Sequence, residues 1–416
     1  MKVQRYKGAR DLSPAEMRKF RLLEGDFFDS CLRWGYEEVK TPVLEYLHLF
    51  TASGTLTPAK LSKVYSFLDW DGWSGERVVL RPDGTIPVAR FYIDSLSAQK
   101  LARLFYISNF FIFEETGREA RERWQGGAEL LGASSPLGDV ELVALALEIL
   151  ERLGFSDVVV RLSHAGLIRE LLTQLGLSRE EQTRVFHQIL DGDSGALSRI
   201  EKERPGIKKE LSLLLDLKVE SSGFLKNLRS VFAQSLPQLK PAMDNFVEIV
   251  EQLESLGCRY QIDIGAGRGF EYYTGVIFKF YRGETIVGGG GRYDALVPLL
   301  GGKDTPACGF ALYFDPLMSL LPSESPPRYS EGVAIATTAQ ALKPALELAR
   351  YLRSSGYIAE LDWDSASDRR WRLGLQEGKP GFQLTDRASQ KTLVVSTREE
   401  VIALLGEKGE GQNSPP

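Results

Sequence analysis

Apolar side chains at Phe20, Leu23, Phe27, Cys31 and Trp34 recur in steps of three and four, which predicts a helix over residues 15–34 with one buried face. Ser13 is placed to cap this helix and Pro14 to fill its first position. Short runs at 36–44, broken by Pro42, and at 77–80 predict strands. The run RLFYISNFFIF at 103–113 is rich in aromatic and β-branched residues and predicts a longer strand. A charged loop, EETGREARER, separates it from WQGGAELL at 124–131, which predicts the return strand of one hairpin. Leu142, Leu145, Ala146, Ile149, Leu150 and Leu153 mark the buried side of a helix over 139–153, stopped by Gly154.

A strand is predicted at 158–162, after which the pattern changes. Residues 164–256 carry helical periods such as LIRELLTQL and FVEIVEQLESL, and predict an insertion of short helices. Strand patterns resume with the alternation of Tyr260, Ile262 and Ile264 and with YYTGVIFKFY at 272–281, followed by four glycines at 288–291. GFALYFDPLMSLL, after Cys308, predicts a strand leading into a helix. PSESPPR at 322–328 predicts a linker. Beyond it, strands at 333–337, 357–361 and 392–396 alternate with helices at 342–353 and 399–405, which predicts a small α/β domain over 329–405. The tail 406–416 is expected to be disordered. The expected organisation is therefore a core of 1–163 with 257–321, an insertion at 164–256, and the α/β domain.

The composition is that of a globular chain: 416 residues, 43% hydrophobic and 26% charged. A net charge of −5 excludes nucleic-acid binding by bulk attraction. Cys31, Cys258 and Cys308 are widely spaced and odd in number, which points to a reducing cytoplasm and to neither disulfides nor a metal site. The start, MKVQRYKGAR, lacks the apolar core of a secretory signal. No GxxxxGK[ST], HExxH or CxxC pattern occurs. GAGRGF at 265–270 has Phe270 where a dinucleotide fingerprint has its third glycine. His48, His164 and His187 form no cluster and read as core or surface residues.

Several segments carry a joint signal: KGARDLSP at 7–14, TPVLE at 41–45, LRPDGT at 80–85, QGGAELLG at 125–132, DVE at 139–141, GRGFEYYTG at 267–275 and GGGGRYDAL at 288–296. In this order they resemble the catalytic core of histidyl-tRNA synthetases, over about residues 1–320. The resemblance implies an α+β fold of class II aminoacyl-tRNA synthetase type. Its six- or seven-stranded antiparallel sheet is flanked by helices, and the chain pairs as a homodimer through the first motif region. The C-terminal domain would be similar to an anticodon-binding domain. The resemblance also places a histidine pocket. Asp83 and Thr85 would meet the amino group, Gln125 and Glu129 would lie under the substrate, and Arg268, Tyr272 and Tyr273 would enclose the imidazole. These types suit an amino acid, because an ammonium has three donors and needs acceptors, and an imidazole fits polar groups between flat rings.

Two departures bear on activity. The synthetase second motif has an arginine in F-R-x-E, and here the segment is Phe111, Ile112, Phe113, Glu114. The third motif ends in an arginine where this chain has Pro316, and Tyr313 replaces a small residue beside the adenine. Removing one such cationic group typically costs about 10²–10³ in rate. The pattern resembles the histidyl-tRNA synthetase paralogues that regulate ATP phosphoribosyltransferase. That implies a non-catalytic subunit with no cofactor, bound to a short catalytic subunit in a hetero-octamer and passing on histidine feedback. Which segment would move is not readable from the sequence; the loop 115–123 and the glycines 288–291 are candidates, because flexible backbone near a pocket can order on binding. An active synthetase with divergent motifs and a free-standing histidine-binding sensor are the alternatives, and tRNA is not expected as a partner on the first reading.

Overall fold

A computed structural model describes residues 4–52, 61, 63–69, 75–113, 120–174, 178, 181–182, 185, 188, 218–264, 272–322, 332–375 and 381–407. The chain divides into two compact units, residues 1–323 and 324–416.

In the first unit the opening helix, α1 (Pro14–Arg33), begins with a capping box. Glu16 N donates to Ser13 Oγ at 3.3 Å and Ser13 N to Glu16 Oε2 at 2.7 Å. Its apolar stripe, Phe20, Leu23, Phe27 and Cys31, is buried against the sheet. The strands are β1 (Glu37–Glu38), β2 (Leu44–Tyr46), β3 (Ser66–Leu68), β4 (Arg77–Leu80), β5 (Ala102–Phe111), β6 (Glu122–Leu131), β7 (Val159–His164), β8 (Lys218–Val219), β9 (Tyr260–Asp263), β10 (Val276–Arg282), β11 (Thr285–Arg292) and β12 (Ala307–Tyr313). Among the described residues the main sheet runs β1-β5-β6-β12-β11-β10-β7-β9-β8. The six strands from β5 to β7 are antiparallel throughout. Parallel pairs occur only toward the edges, β1 with β5 and β9 with β7. Helices α2 (Thr85–Phe91), α3 (Leu137–Arg152) and α4 (Ala165–Gln174) alternate with these strands, followed by α5 (Ser222–Ser235), α6 (Lys240–Ser255) and α7 (Phe314–Leu320), with shorter helices at Leu47–Ala52 and Leu296–Leu299.

Three expectations are corrected here. The segment 36–44 is not one interrupted strand. Past Pro42 the chain leaves the main sheet, and β2 joins a separate sheet of order β2-β4-β3. The buried Arg81 guanidinium fixes this bend by donating to Thr41 O at 2.8 Å and Pro42 O at 3.3 Å. The glycines at 288–291 are not a mobile loop. They lie inside β11, buried and paired on both sides. A Cβ on Gly290 would meet Gly309 O at 2.1 Å, so this close approach of backbones needs glycine. The segment 164–256 is not helical alone, because β8 pairs with β9 at the sheet edge. Its helix α6 buries Phe246, Val250 and Leu253 in the same core as the sheet.

Among the described residues the second unit is a five-stranded sheet of order β14-β13-β15-β16-β17 with two helices, α8 (Leu342–Ser354) and α9 (Arg398–Glu407). Strands β13 (Gly332–Ala336) and β14 (Ile358–Asp362), joined through α8, were expected, as was β17 (Lys391–Val395). Strands β15 (Trp371–Leu375) and β16 (Phe382–Asp386) were not. Their alternation is short, and arginines crowd the start of β15. The linker after 322 and the tail after 407 lie outside the described residues, apart from Pro322 itself. No described helix is long and apolar enough to cross a membrane.

Candidate functional site

Six of the seven residues picked from the sequence come together on one face of the antiparallel sheet. LRPDGT turns from β4 into α2, and this turn sets Asp83 and Thr85. Asp83 Oδ1 accepts from Ile86 N at 2.9 Å, so the carboxylate also holds the helix start. Thr85 Oγ1 donates to Glu129 Oε1 at 2.7 Å. Glu129 sits in the middle of β6 and is 1% exposed. Its other oxygen accepts from the Tyr293 hydroxyl, and Tyr106 reaches Oε1 at 3.5 Å. Gln125 Nε2 stands 3.4 Å from the Tyr106 hydroxyl. A hydrogen-bonded row thus runs Gln125, Tyr106, Glu129, Thr85.

Tyr272 and Tyr273 precede β10 and are buried against this row. Their ring centroids lie 5.2 Å apart, and Tyr272 meets Tyr293 edge-on at 5.6 Å. The Tyr272 hydroxyl is a hydrogen-bond partner of Asp83. Small residues make room for the rings. A Cβ on Gly127 would meet Tyr106 Cζ at 2.3 Å, and one on Gly291 would meet Tyr273 Cδ1 at 3.0 Å. Arg268, the seventh residue, lies outside the described residues.

Burial dominates the electrostatics. It pushes Glu129 up to about 8, against the Tyr293 and Thr85 hydroxyls that favour its ionised form. Asp83 is raised to about 6 by the same cause, against the amides of Ile86, Thr85 and Gly84. Burial also raises Tyr106, Tyr272, Tyr273 and Tyr293, so all four are neutral hydrogen-bonding walls at pH 7. Among the described residues the site offers two carboxyl groups, a hydroxyl and an amide beside flat rings, a set that can accept from a small cation; at pH 7 Glu129 keeps its proton and Asp83 carries the negative charge.

Tyr106 and Tyr293 were not singled out from the sequence. Tyr293 lies within GGGGRYD, and Tyr106 on the alternation of β5, so both were in view without a role. Tyr313 pairs in register with Gln125 and is buried enough that its hydroxyl is pushed up to about 12. Ile112 follows β5, its amide bonded to Arg121 O at 2.9 Å. Pro316 lies in the first turn of α7, next to Asp315, which is paired with Arg10. The loop 115–123 is described only from 120. There Arg121 is packed 4.3 Å over the Phe113 ring and donates to the Tyr6 hydroxyl at 3.1 Å, so it is not a solvated charge. His164 is a buried neutral core residue, lowered to about 4 by desolvation, with Nε2 3.3 Å from Asn245 Oδ1.

A histidyl-tRNA synthetase family profile matches residues 8–317. The chain is 50% identical, over 97% of its length and 98% of the relative's, to a Dehalococcoides mccartyi protein named ATP phosphoribosyltransferase regulatory subunit. It is 33% identical, over 95% of its length and 92% of the relative's, to the histidine–tRNA ligase of Methanocaldococcus jannaschii. Among solved structures, it is similar to an ATP phosphoribosyltransferase regulatory subunit/histidyl-tRNA synthetase from Bacillus halodurans, with a TM-score of 0.76, 25% identity and coverage of 88% and 94% of the two chains. Its fold is also that of the Nostoc histidyl-tRNA synthetase, with a TM-score of 0.77 and 98% and 100% covered. The chain belongs to the histidyl-tRNA synthetase family, as a relative of those of its members that are named ATP phosphoribosyltransferase regulatory subunits.

Proposed function

We propose that this chain is the non-catalytic regulatory subunit of ATP phosphoribosyltransferase. In this reading a short catalytic subunit needs it for the first step of histidine biosynthesis, and histidine bound to it feeds back on that step. One contrast supports the proposal: an acceptor row and tyrosine walls suited to an amino acid, beside Ile112 and Pro316 at the two positions where the resemblance expects triphosphate-binding arginines. Neither residue offers a charge or a side-chain donor where negative charge would develop. Histidine would bind with its ammonium toward Asp83, Thr85, Gln125 and Glu129 and its imidazole between Tyr272, Tyr273 and Arg268. Its differential affinity for two states of the complex would shift the partner's activity.

The assembly proposed is a cytoplasmic hetero-octamer built on dimers of this chain. Exposed Leu44, Tyr46 and Phe67 on the small β2-β4-β3 sheet support a self-association face. The core, insertion and C-terminal boundaries set out from the sequence are kept as the proposed organisation. The test is reconstitution. The short catalytic subunit should gain activity on addition of this chain and lose it again with histidine. Activity that ignores both additions overturns the proposal.

The 33% identity to a histidine–tRNA ligase favours a second reading, an active synthetase with divergent motifs. Histidine-dependent pyrophosphate–ATP exchange by the chain alone would establish that reading instead. Histidine binding with neither exchange nor a phosphoribosyltransferase partner would leave a free-standing sensor.

A further inference from the structure

The rings of the first-unit site come from two stretches of chain that lie outside the regular pairing of β10 with β11. Tyr272 and Tyr273 stand before β10, and Tyr293 follows β11. That pairing runs from Arg282 opposite Thr285 to Ile277 opposite Gly291, so it includes none of the three. After Arg292 the chain turns out of β11 toward the short helix Leu296–Leu299, and Leu296 N donates to Tyr293 O at 3.0 Å. The two stretches are therefore held together near the rings by something other than the strand ladder.

Thr274 spans the gap. Its amide donates to Arg292 O at 2.7 Å. Its Oγ1 accepts from Asp294 N at 3.0 Å and donates to Arg292 O at 3.4 Å. One hydroxyl thus joins the residues on both sides of Tyr293 to the residue that follows Tyr273. The Asp294 amide lies past the end of the strand, where the ladder offers it no carbonyl, and the hydroxyl supplies the missing acceptor. Both stretches are anchored on their far sides. Asp294 Oδ1 accepts from Arg292 Nη1 and from Ala307 N, each at 2.9 Å, and Tyr293 N donates to Ala307 O at 2.7 Å. Gly275 O accepts from Ala165 N, at the start of α4, at 2.8 Å. What the hydroxyl sets is the spacing between two fixed edges.

We propose that Thr274 is a positioning residue of the tyrosine-walled site: its hydroxyl holds Tyr272 and Tyr273 at a fixed distance from Tyr293 and so sets the affinity for the bound amino acid. The inference rests on reading that site as an amino-acid site, as set out above. Thr274 acts through the rings. Tyr272 meets Tyr293 edge-on at 5.6 Å, Tyr273 lies over Gly291, and the Tyr293 hydroxyl donates to Glu129. Walls already in place when the ligand arrives leave less ordering to be done on binding, and ordering is what weakens association. Without the hydroxyl the two edges keep their anchors but lose their common spacing.

The test is calorimetric titration of the full chain with histidine, beside thermal melts, for the wild type, Thr274→Val and Thr274→Ser. Valine keeps the shape and loses the hydroxyl, and serine keeps the hydroxyl. Thr274→Val should weaken binding about fivefold or more, the effect of one lost hydrogen bond. Thr274→Ser should stay within about twofold. Thr274 is half-buried, so water can take over the Asp294 amide, and the melting temperature of Thr274→Val should stay within about 3 °C of the wild type. Thr274→Ala gives the same comparison should valine perturb folding. The proposal falls if valine and alanine leave the affinity unchanged, if serine weakens binding as much as they do, or if affinity is lost only together with the fold. Wild-type chain that binds no histidine sinks the amino-acid reading and this proposal together, whereas wild-type binding that ignores the loss of the hydroxyl sinks this proposal alone.

Discussion

The Thr85 hydroxyl donates to Glu129 Oε1 across 2.7 Å and ties the start of α2 to the middle of β6. With Tyr293 on the other oxygen, Glu129 is held from two sides beneath the proposed amino-acid site. Its burial makes it a source of pH dependence.

Folding raises Glu129 from its ordinary value of 4.5 to about 8. Between those values the folded chain holds a proton that the unfolded chain has released. The stability tied to that proton is therefore full below about 4.5 and is lost as pH rises through 8. Glu129→Gln removes this dependence. The variant's melting temperature, relative to the wild type's, should climb steadily from pH 5 to pH 8.5. A difference that stays constant with pH would show that Glu129 is ionised in the fold.

Tyr273 is 5% exposed and lies over Gly291. If its ring walls the histidine site, Tyr273→Ala should weaken histidine binding at least tenfold, about 1.4 kcal/mol. Tyr273→Phe keeps the ring and should stay within about threefold. The measurement is calorimetric titration with histidine. Equal affinities for all three chains would place the imidazole elsewhere.

Arg292, at the end of the glycine strand, is 3% exposed and bonds Asp139 of α3 at 2.9 and 3.0 Å. Its Nη1 donates to Ala133 O at 3.0 Å and to Asp294 Oδ1 at 2.9 Å, and its Nη2 to Cys308 Sγ at 3.4 Å. Leaving a buried charge unpaired costs about 3–5 kcal/mol, whereas replacing both partners with apolar groups costs far less. Asp139→Leu should therefore destabilise the first unit severely in urea melts, and Asp139→Leu with Arg292→Met should recover much of the loss. A double variant no better than the single one would mean that Arg292's other bonds carry the stability.

The hydrophobic pattern made most of this fold legible. Helix α1, the β5–β6 hairpin and the strand–helix step at β12 and α7 follow from periodicity, capping residues and aromatic runs, within a few residues of their bounds. Local chemistry misleads where the tertiary setting decides. Four consecutive glycines resemble a loop, yet in β11 they let strands and tyrosine rings approach. Pro42 resembles a kink, yet Arg81, just past β4, turns it into an exit from the main sheet. Asp83, Thr85, Gln125, Glu129, Tyr272 and Tyr273 were picked by resemblance, and the structure brings all six together. The two tyrosines that complete the row, Tyr106 and Tyr293, could be found only by knowing that β5 and β11 flank the neighbouring strands β6 and β12, with Tyr293 following β11.

The loss of nucleotide chemistry gives the last prediction. Ile112→Arg with Pro316→Arg restores the two cations to the chain. It does not clear Tyr313, which is half-buried and pairs in register with Gln125, nor free Asp315 from its pairing with Arg10. Positioning and charge must both be in place before a phosphate transition state is stabilised, and a misplaced group loses orders of magnitude. The double variant should therefore show no histidine-dependent pyrophosphate–ATP exchange above background, while histidine binding stays within about threefold of the wild type. Adding Tyr313→Gly should open space for a base and give the first measurable triphosphate binding by fluorescence titration. Exchange appearing with the two arginines alone would mean that Tyr313 and Asp315 leave the nucleotide path open. The proposed division between an amino-acid site kept and a nucleotide site lost would then reduce to those two positions.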